Sequence, residues 1–412
     1  IDLTIKNNVL RGGGSGIYAN GWNTSCCYAP GTIITDNILS DNFGVGIHVY
    51  YSDAPIVTGN TILGTVNSNF IGLRHADNYD GMVGLSGGKF MGNKIICYIG
   101  KTGIAISGSG TTANPNITGN NFIYMGDNTV GVSGILFDGA FVTASAIYYN
   151  SVHVRSTNSS SVAFKAKGVV FNTDVQNNIF ANTGGGLCDS FPNIFFTMDY
   201  NNLYTTGSSM GMVGASSYAD LAAWQVGSTQ DVNSISTSPM FASNTNLHTC
   251  NDTLRAGNSI ILVSDDIDGT DFRPFSNPVI GADEFPASFT PTYAISNICV
   301  GSPVIIKGSF PGAVYTWSNG DSTQRISFIA NLPDTLIVQA ANACQSFSDT
   351  LSIIPNPIPI VDLGGDSGCT GITLDAGPYV AFNWSTGDIT RTIKPATPGT
   401  YSVEATAVPY TH

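Results

Sequence analysis

The sequence is poor in charge and has no long hydrophobic run. Only 10% of its 412 residues are charged, and 28 acidic residues outnumber 15 basic ones, which gives a net charge of −13. DNA, RNA and anionic lipid are poor partners for such an acidic chain, because their phosphates repel it. No stretch reaches the roughly 20 apolar residues of a transmembrane helix. We therefore expect no nucleic acid partner and no membrane insertion.

The sequence also lacks helical periodicity and zinc-binding motifs. Apolar residues rarely recur at the 3.6-residue period of an amphipathic helix, which argues against a helical fold. The eight Cys include no pair of Cys-x-x-Cys motifs and no Cys/His cluster, which excludes the common structural zinc patterns. Cys97 and Cys188 stand alone and are predicted to be small buried core residues. No cofactor is predicted.

What the sequence does contain is an internal repeat. Eight times in the first half, an Asn or Asp stands two residues before an aliphatic or aromatic residue, and successive copies lie 24 to 33 residues apart. Spacings of this size are typical of stacked supersecondary units. The copies begin at Asn7, Asp36, Asn60, Asn93, Asn120, Asn150, Asn177 and Asn201.

A second signal accompanies the repeat. A Gly followed by an apolar residue usually lies 8 to 15 residues after the Asn, as in Gly46-Ile47 and Gly103-Ile104. Between these points apolar and polar residues alternate in short runs, which is the period of half-buried strands. Two or three short strands per coil, separated by Gly and Asn bends, predict an all-β fold whose main part is a parallel β-helix of about eight coils.

The recurring Asn suits a bend for two reasons. It tolerates the left-handed backbone conformation of a sharp corner, and its amide is both donor and acceptor. Amides stacked at the interstrand spacing can bond to each other along the axis, so we predict an Asn ladder. Asn-rich and Gly-rich turns also recur in other all-β proteins, but a sandwich would show no fixed coil period.

The repeat ends after residue 204, and the following stretch has a different character. Residues 217–225 form the one convincing helix, with Ser217 as its predicted N-cap and Leu221 and Trp224 on one face. The segments that follow are Asp231-Val232-Asn233-Ser234-Ile235, Ser238-Pro239-Met240-Phe241, Asn246-Leu247-His248, Arg255-Ala256-Gly257-Asn258, Asp266-Ile267-Asp268-Gly269, Phe272-Arg273-Pro274 and Ile280-Gly281-Ala282-Asp283-Glu284-Phe285.

In this order, those segments closely resemble the closing region of secreted bacterial right-handed parallel β-helix repeat proteins, a group related in fold to the pectate lyases. The resemblance implies a right-handed parallel β-helix over residues 1–204 and a closing region over residues 205–288. The chain enters the first coil at Ile1 with no cap before it, and an uncovered edge is unusual in natural β-helices. We therefore expect the N-terminal end of the β-helix to be incomplete.

An acidic cluster lies within the closing region. Asp265, Asp266, Asp268 and Asp271 suggest a structural calcium loop, with Asp266, Asp268 and Asp271 as the candidate ligands. The alternating ligand order and the bidentate Glu of a calcium loop are missing. We favour a cap turn in which Arg273 pairs with a carboxylate, and therefore no metal.

Two further units, residues 289–355 and 356–412, repeat each other. The run Trp317-Ser318-Asn319-Gly320-Asp321 is echoed 67 residues later by Trp384-Ser385-Thr386-Gly387-Asp388. Short alternating strands around a buried Trp predict small β-sandwiches. They resemble the immunoglobulin-like modules of surface proteins that bacteria export through the type IX secretion system.

The first of these modules offers a disulfide that the second lacks. Cys299 can pair with Cys344, which would stabilise the module by about 4 kcal/mol and implies an oxidising compartment. In the second module Pro409 takes the place of Cys344, so Cys369 has no partner. The last strand also has no counterpart. We expect either that the chain is cut here or that its final residues are not the natural continuation.

One surface of the predicted β-helix combines aromatic and ionisable residues. If the residue after each Gly faces inward, Tyr18, His48 and Arg74 form an outward column, with Tyr50 in the column beside it. Aromatic rings can stack on sugars while Arg74 binds uronate carboxylates. These residues could equally be strand-surface residues that reflect β propensity. The candidate glycan-binding residues are Tyr18, His48, Tyr50, Arg74, His75 and Asp77.

The sequence does not show an enzyme's residues. A lyase of this fold needs an Arg or Lys base beside acidic calcium ligands, and a glycosidase needs convergent carboxylates. We therefore predict a non-catalytic structural or adhesive protein, extracellular or on the cell surface. The alternatives are a polysaccharide-binding or polysaccharide-cleaving protein, and self-association into a surface fibre through unpaired strand edges. Either polysaccharide or other surface proteins would be its partners.

Three Asp-Thr-Leu triplets add a prediction of modification. They resemble the short O-glycosylation signal of the bacteria that use type IX secretion. The predicted acceptors are Thr253, Thr335 and Thr350.

Overall fold

The computed structural model describes residues 3–21, 29–76, 87–107, 111, 113–126, 130–269, 272–274, 276–285, 298–308, 314–341, 346–356, 360–363 and 371–406. The chain forms two compact units, Ile1–Ser288 and Phe289–His412. Nearly all regular structure is β, and the first unit is a solenoid of parallel sheets. The predicted parallel β-solenoid is confirmed.

Three parallel sheets run the length of the solenoid, and each stacks eight successive parallel strands. Sheet 1 contains β1 (Thr4–Lys6), β5 (Ile33–Thr35), β9 (Ile56–Thr58), β12 (Lys89–Met91), β15 (Asn116–Gly119), β19 (Ser145–Tyr148), β22 (Val169–Gln176) and β25 (Phe195–Asp199), with β18 (Phe141–Thr143) also paired to β22. Sheet 2 contains β2 (Val9–Arg11), β6 (Ile38–Ser40), β10 (Thr61–Gly64), β13 (Lys94–Cys97), β16 (Phe122–Met125), β20 (Ser151–Val154), β23 (Ile179–Asn182) and β26 (Asn202–Thr205). Sheet 3 contains β3 (Ser15–Asn20), β7 (Val45–Tyr50), β11 (Ile71–Ala76), β14 (Thr102–Ile106), β17 (Ser133–Phe137), β21 (Val162–Ala166), β24 (Leu187–Phe191) and β27 (Gly211–Val213), to which β28 (Ser216–Tyr218) adds an antiparallel strand. A short parallel pair joins β4 (Ala29–Pro30) to β8 (Ser52–Asp53).

A ladder of Asn side chains connects the coils at the bend between sheets 1 and 2. Each Nδ2 donates to the Oδ1 of the next Asn at 2.9 to 3.0 Å. Each Oδ1 also accepts from the backbone N–H of the Asn one coil before it. The predicted ladder is confirmed. Its members are Asn8, Asn37, Asn60, Asn93, Asn121, Asn150, Asn178 and Asn201.

The two roles expected of one Asn are divided between neighbouring positions. The residue before each ladder Asn has a positive φ, and the ladder Asn supplies the amide. Four predicted repeat positions were therefore one residue early: Asn7, Asp36, Asn120 and Asn177 occupy the left-handed position. At the other coils that position holds Gly59, Gly92, Tyr149 and Tyr200. In the coils of Asn7, Asp36, Asn120 and Asn177, two adjacent residues, Asn-Asn or Asp-Asn, both stand two positions before an apolar residue. The sequence pattern therefore did not show which of the two supplies the ladder amide.

An aliphatic and aromatic core fills the solenoid. On sheet 2, the residue two positions after each ladder Asn faces inward, as Ile62 and Ile95 do with no exposed surface. Burying one such side chain contributes about 1.5–3 kcal/mol. Cys97 and Cys188 are also fully buried, as predicted. The core therefore follows the same repeat as the ladder.

The recurring Gly of sheet 3 has a steric cause. A Cβ on Gly103 would lie 2.4 Å from Cγ2 of Ile123 and 2.6 Å from the carbonyl oxygen of Gly134. Gly72 meets the same obstacle in Ile95 at 2.4 Å. The inward residue of sheet 2 in the following coil thus occupies the space that a side chain on sheet 3 would need, which explains the Gly-apolar signal.

The ladder ends next to a helix, α1 (Leu221–Ser228). The helix begins after Asp220, whose side chain accepts from the backbone N–H of Ala223 at 2.8 Å. The predicted N-cap Ser217 is wrong, because it lies in β28. Nε1 of the buried Trp224 donates to Asp231 at 2.8 Å, and the other Asp231 oxygen accepts from Nδ2 of Asn201 at 3.0 Å. The last amide of the ladder therefore ends on a buried carboxyl.

The chain after α1 does not remain beside the last coil of the solenoid. We call the described residues of segment 236–285 the strap. It contains one 3₁₀ turn, Asp252–Leu254, and runs back along the outside of sheets 1 and 2. Leu254 packs on Ile179, Val263 packs on Ile117, and Leu247 packs on Phe122. The strap thus extends over the outer faces from the later coils back to β13, where Asp268 contacts Lys94, a course that the predicted closing region did not include.

The second unit consists of small antiparallel sheets. β29 (Ser302–Lys307) pairs with β31 (Arg325–Ala330), and β30 (Val314–Trp317), β32 (Asp334–Ala341) and β33 (Ser346–Ile353) form a three-stranded sheet. Further along, β34 (Leu374–Asp375) pairs with β36 (Thr392–Ile393), and β35 (Ala381–Trp384) pairs with β37 (Val403–Thr406). Two separate hydrophobic cores surround Trp317 and Trp384.

The repeated Trp motif makes the same turn in both places. Nε1 of Trp317 donates to the carbonyl of Thr323 at 2.9 Å, and Nε1 of Trp384 donates to Thr390 at 2.8 Å. Gly320 and Gly387, the fourth residue of each copy, both have φ of 87°. The similarity of the two sequences is therefore a similarity of structure.

The predicted disulfide is not present in this structure. The structure gives Cys299 as an exposed free thiol, and Cys344 lies outside the described residues. The predicted pairing with Cys344 therefore gains no support from the fold.

We predict that Asn121→Ala destabilises the solenoid by about 3 kcal/mol, because it leaves the buried backbone N–H of Asn93 and carbonyl of Phe90 without their partner. Chemical denaturation followed by circular dichroism measures the loss. Asn8→Ala is the matched control, since Asn8 is exposed and water can replace its bonds; it should cost less than about 1 kcal/mol. Equal losses in the two variants would contradict a stabilising ladder.

Candidate functional site

The candidate surface lies on the outer face of sheet 3. Tyr18 on β3 pairs in register with His48 on β7, and His48 pairs with Arg74 on β11. Tyr50 lies two residues after His48 and therefore on the same face. The strand alternation thus brings four of the predicted residues together on three consecutive coils.

The aromatic rings of this surface contact each other. Tyr18 and His48 meet edge to face with centroids 5.0 Å apart, and His48 lies 5.8 Å from Tyr50 in a tilted arrangement. Tyr50 in turn lies 3.9 Å from Tyr51 and donates a hydrogen bond to its hydroxyl at 3.0 Å. Tyr18 is 55% exposed. The rings form a continuous aromatic surface that ends in solvent at Tyr18.

The imidazole of His48 is uncharged, in contrast to the guanidinium of Arg74. Burial, together with the nearby charge of Arg74 and then His75, lowers the pKa of His48 to about 4. The imidazole is therefore neutral at physiological pH. Its Nε2 is buried with no hydrogen-bond partner in the described part of the chain. It can act as an aromatic contact but does not supply positive charge.

Arg74 is held by an acidic neighbour. Its Nη2 lies 3.7 Å from Oδ2 of Asp138, and Asp138 also forms an ion pair with Lys167. The Arg74 side chain is 31% exposed, so this pair orients the guanidinium more than it stabilises the fold. Lys165 continues the outward column beyond Leu136. Two cations, Arg74 and Lys167, therefore pair with one carboxylate on this part of sheet 3.

Two of the predicted residues do not join this surface. His75 is only 1% exposed, faces the core between Val49 and Ile106, and lies 4.8 Å from the ring of Phe90. Its assignment to a glycan-contacting surface was wrong, because successive strand residues face opposite sides. Asp77 lies outside the described residues.

Two of the suggested calcium ligands, Asp266 and Asp268, lie in the described part of the strap. Asp266 is buried, and its Oδ1 accepts from the backbone N–H of Asp268 at 3.1 Å. The Asp268 carboxylate instead contacts His248 at 2.6 Å and Nζ of Lys94 at 3.2 Å. Asp271, the third candidate ligand, lies outside the described residues.

A different group of residues converges here. His248, Asp268 and Asp283 place one nitrogen and two carboxylate oxygens within 4.8 Å of one another. Nε2 of His248 lies 2.6 Å from Asp268 and 4.0 Å from Oδ1 of Asp283. Sequence reasoning missed this cluster, because no local motif connects residues 248, 268 and 283.

The environment shifts the pKa values of the two carboxyls of this cluster in opposite directions. Burial raises the pKa of Asp283 to about 7 against the opposing effect of His248. The hydrogen bond with His248 lowers the pKa of Asp268 to about 2. For His248 burial alone would lower the pKa, but the hydrogen bond to Asp268 and the two carboxylate charges raise it overall. Without a bound cation, Nε2 of His248 and Oδ2 of Asp268 form a close hydrogen bond.

Arg273 fixes the backbone next to this cluster. Its guanidinium lies 3.4 Å from Glu284 and 3.7 Å from the ring centroid of Tyr149. It also donates to Oδ1 of Asn120 at 2.8 Å and to the carbonyl of Ala282 at 3.0 Å. Arg273 therefore pairs with Glu284, a carboxylate outside the predicted acidic cluster. Arg273 thus joins the strap to the solenoid bend directly before Asp283.

The three predicted glycosylation acceptors are accessible. Thr253 lies in the 3₁₀ turn of the strap, and Thr335 and Thr350 lie on β32 and β33; all three are exposed. The Leu of each triplet is buried instead, as Leu254 shows with no exposed surface. No helix in the described parts of the chain is long and apolar enough to cross a membrane.

Comparison with known proteins gives no family assignment. No protein-family model matches this chain, and no curated protein is significantly similar to it. The resemblance to pectate-lyase-like proteins is therefore supported by the solenoid fold alone.

Proposed function

We propose that this protein is a non-catalytic structural or adhesive protein, located outside the cell or on its surface. Under this proposal the solenoid is a rigid scaffold of about 40 Å, from eight strands at the interstrand spacing. The small sheets around Trp317 and Trp384 are immunoglobulin-like spacers, and their shared turn supports two copies of one module. Its partners are polysaccharide or other surface proteins.

The observation that carries this proposal is that Asp138 is paired with two cations. In the enzymes that the solenoid resembles, the substrate lies along one parallel sheet. Among the described residues, Asp138 is the only carboxylate in the outward columns of sheet 3, and Arg74 and Lys167 neutralise it. A glycosidase needs a second carboxylate opposite the first. This face is therefore better suited to contact than to bond cleavage.

We predict no depolymerisation of pectin, polygalacturonate, alginate or neutral β-glucans by the purified full chain. Reducing-end release and the ultraviolet absorbance of unsaturated products measure any turnover, before and after addition of calcium. Arg74→Ala is the informative variant, because Arg74 is the one cation at the centre of the aromatic surface. Turnover by the natural chain that this variant abolishes would contradict the non-catalytic proposal.

Polysaccharide contact is the second candidate function, and the aromatic surface of Tyr18, His48 and Tyr50 favours it. Exposed rings stack on the apolar faces of sugars, while an adjacent Arg binds carboxylates. Arg74 lies one coil from His48 in register, close enough for one ligand to meet both. An acidic polysaccharide such as a polyuronate fits this combination.

We predict that Tyr18→Ala and Arg74→Gln each weaken the binding of uronate oligomers by at least about fivefold, since each removes roughly 1 kcal/mol of contact energy. Isothermal titration calorimetry at two salt concentrations measures both effects, and the Arg74 contribution should fall at high salt. Tyr98→Ala is the matched control, because Tyr98 is 48% exposed but lies outside this surface. Equal binding by all variants would exclude the site.

We predict that the protein from its native exporting cells carries O-linked sugar on Thr253, Thr335 or Thr350. Peptide mass spectrometry measures the modification, and Thr350→Val removes it from its peptide. Thr323, exposed but outside an Asp-Thr-Leu triplet, is the internal control. Unmodified peptides at all three positions would contradict the glycosylation proposal.

A further inference from the structure

Three side chains from distant parts of the strap meet beside β13 and β16. His248, Asp268 and Asp283 belong to separate segments, and Phe122 packs edge to face on His248 at 4.9 Å. We propose that these three residues bind one divalent transition-metal ion of the zinc class. Four observations support this assignment, and they concern the buried acid, the imidazole tautomer, the distances and the ligand types.

The first observation is the buried acid. Asp283 is only 5% exposed, and its Oδ2 accepts from the backbone N–H of Thr249 at 2.9 Å. In the described part of the chain, Oδ1 has no hydrogen-bond partner and points to Nε2 of His248 at 4.0 Å. A carboxylate on a residue this buried is costly unless it is paired. A cation between Asp283 and His248 would satisfy it.

The second observation is the orientation of the imidazole. Nδ1 of His248 is in hydrogen-bond contact with Oδ1 of Asn246. An amide oxygen only accepts, so Nδ1 carries a proton and Nε2 is directed to the two carboxylates; the Nε2 proton shared with Asp268 would leave when an ion binds. Metal-binding His residues commonly have this arrangement, in which an acceptor on one ring nitrogen fixes the tautomer and directs the other nitrogen to the ion.

The third observation is the spacing of the ligand atoms. With bonds of about 2.0–2.1 Å, the ligands of a tetrahedral zinc ion lie about 3.3 Å apart. The two distances from Nε2 of His248, 2.6 Å and 4.0 Å, lie on either side of this value. A shift of the imidazole nitrogen by about 0.7 Å toward Asp283 would equalise them. The His248 and Asp268 side chains are partly exposed, which leaves the fourth position to solvent.

The fourth observation is the ligand set. One imidazole with two carboxylates suits zinc and related ions, whereas calcium takes six to eight oxygen ligands. Lys94 opposes the cation, because its Nζ lies 3.2 Å from Oδ1 of Asp268. It leaves Oδ2 of Asp268 free for the ion while weakening the attraction. The bound ion would join three segments of the strap beside β13 and β16.

The test uses the full chain without a tag, stripped of metal by a chelator, with zinc as the probe. We expect saturable binding of one zinc ion per chain in titration calorimetry, confirmed by elemental analysis after dialysis. His248→Gln and Asp283→Asn should each reduce the affinity at least 10-fold, as losses at metal sites typically do. Asp283→Asn keeps an oxygen for the Thr249 N–H, and a thermal melt without metal checks its fold.

Two further variants distinguish a metal site from a charged surface. Lys94→Gln should tighten zinc binding several-fold, because it removes a positive charge next to a ligand. Asp265→Asn, an exposed carboxylate outside the cluster, should leave the affinity unchanged. No saturable binding, or equal binding by the natural chain and Asp283→Asn, would overturn the proposal. Stronger binding of calcium than of zinc would overturn the class of metal.

Discussion

The Asn ladder is the interaction on which the rest of the first unit depends. Every ladder amide connects two coils through a side-chain bond and a backbone bond, and all members after Asn8 are buried. Buried amides must be satisfied, and here the Asn one coil away and the backbone carbonyls of the neighbouring coil do so. The ladder therefore fixes the register of all three sheets, and with it the columns of residues that face the core and the solvent.

The end of the ladder connects it to the strap. Asp231 accepts from the last amide, from Ser234 and from Trp224, so its polar bonds offset part of the cost of burying a carboxyl. From there the strap returns along sheets 1 and 2 and is joined to the left-handed residue Asn120 by Arg273. The bend that holds the ladder thus also receives the strap, and this places the His248 cluster beside β13.

The strap also covers some faces of the solenoid and leaves others open. It covers sheets 1 and 2 in the later coils with Leu254, Val263 and Leu247. The outer face of sheet 3 in the first coils remains exposed at Tyr18. Aromatic contacts and one oriented Arg lie on this open face, while the converging carboxyls belong to the strap itself. The proposed ligand-contact surface and the proposed metal site therefore lie on different sides of the same scaffold.

Local sequence was enough to predict the strand period, the ladder and the outward column from Tyr18 to Arg74, because each depends on local alternation and a fixed coil length. The same alternation places His75 on the inner face once Arg74 faces outward, so the wrong prediction of His75 as a surface residue was avoidable. Which Asn of a doublet enters the ladder followed only from the folded coils, because both satisfy the same local pattern. The path of the strap and the meeting of His248, Asp268 and Asp283 also required the folded structure, since these depend on packing between residues far apart in the chain.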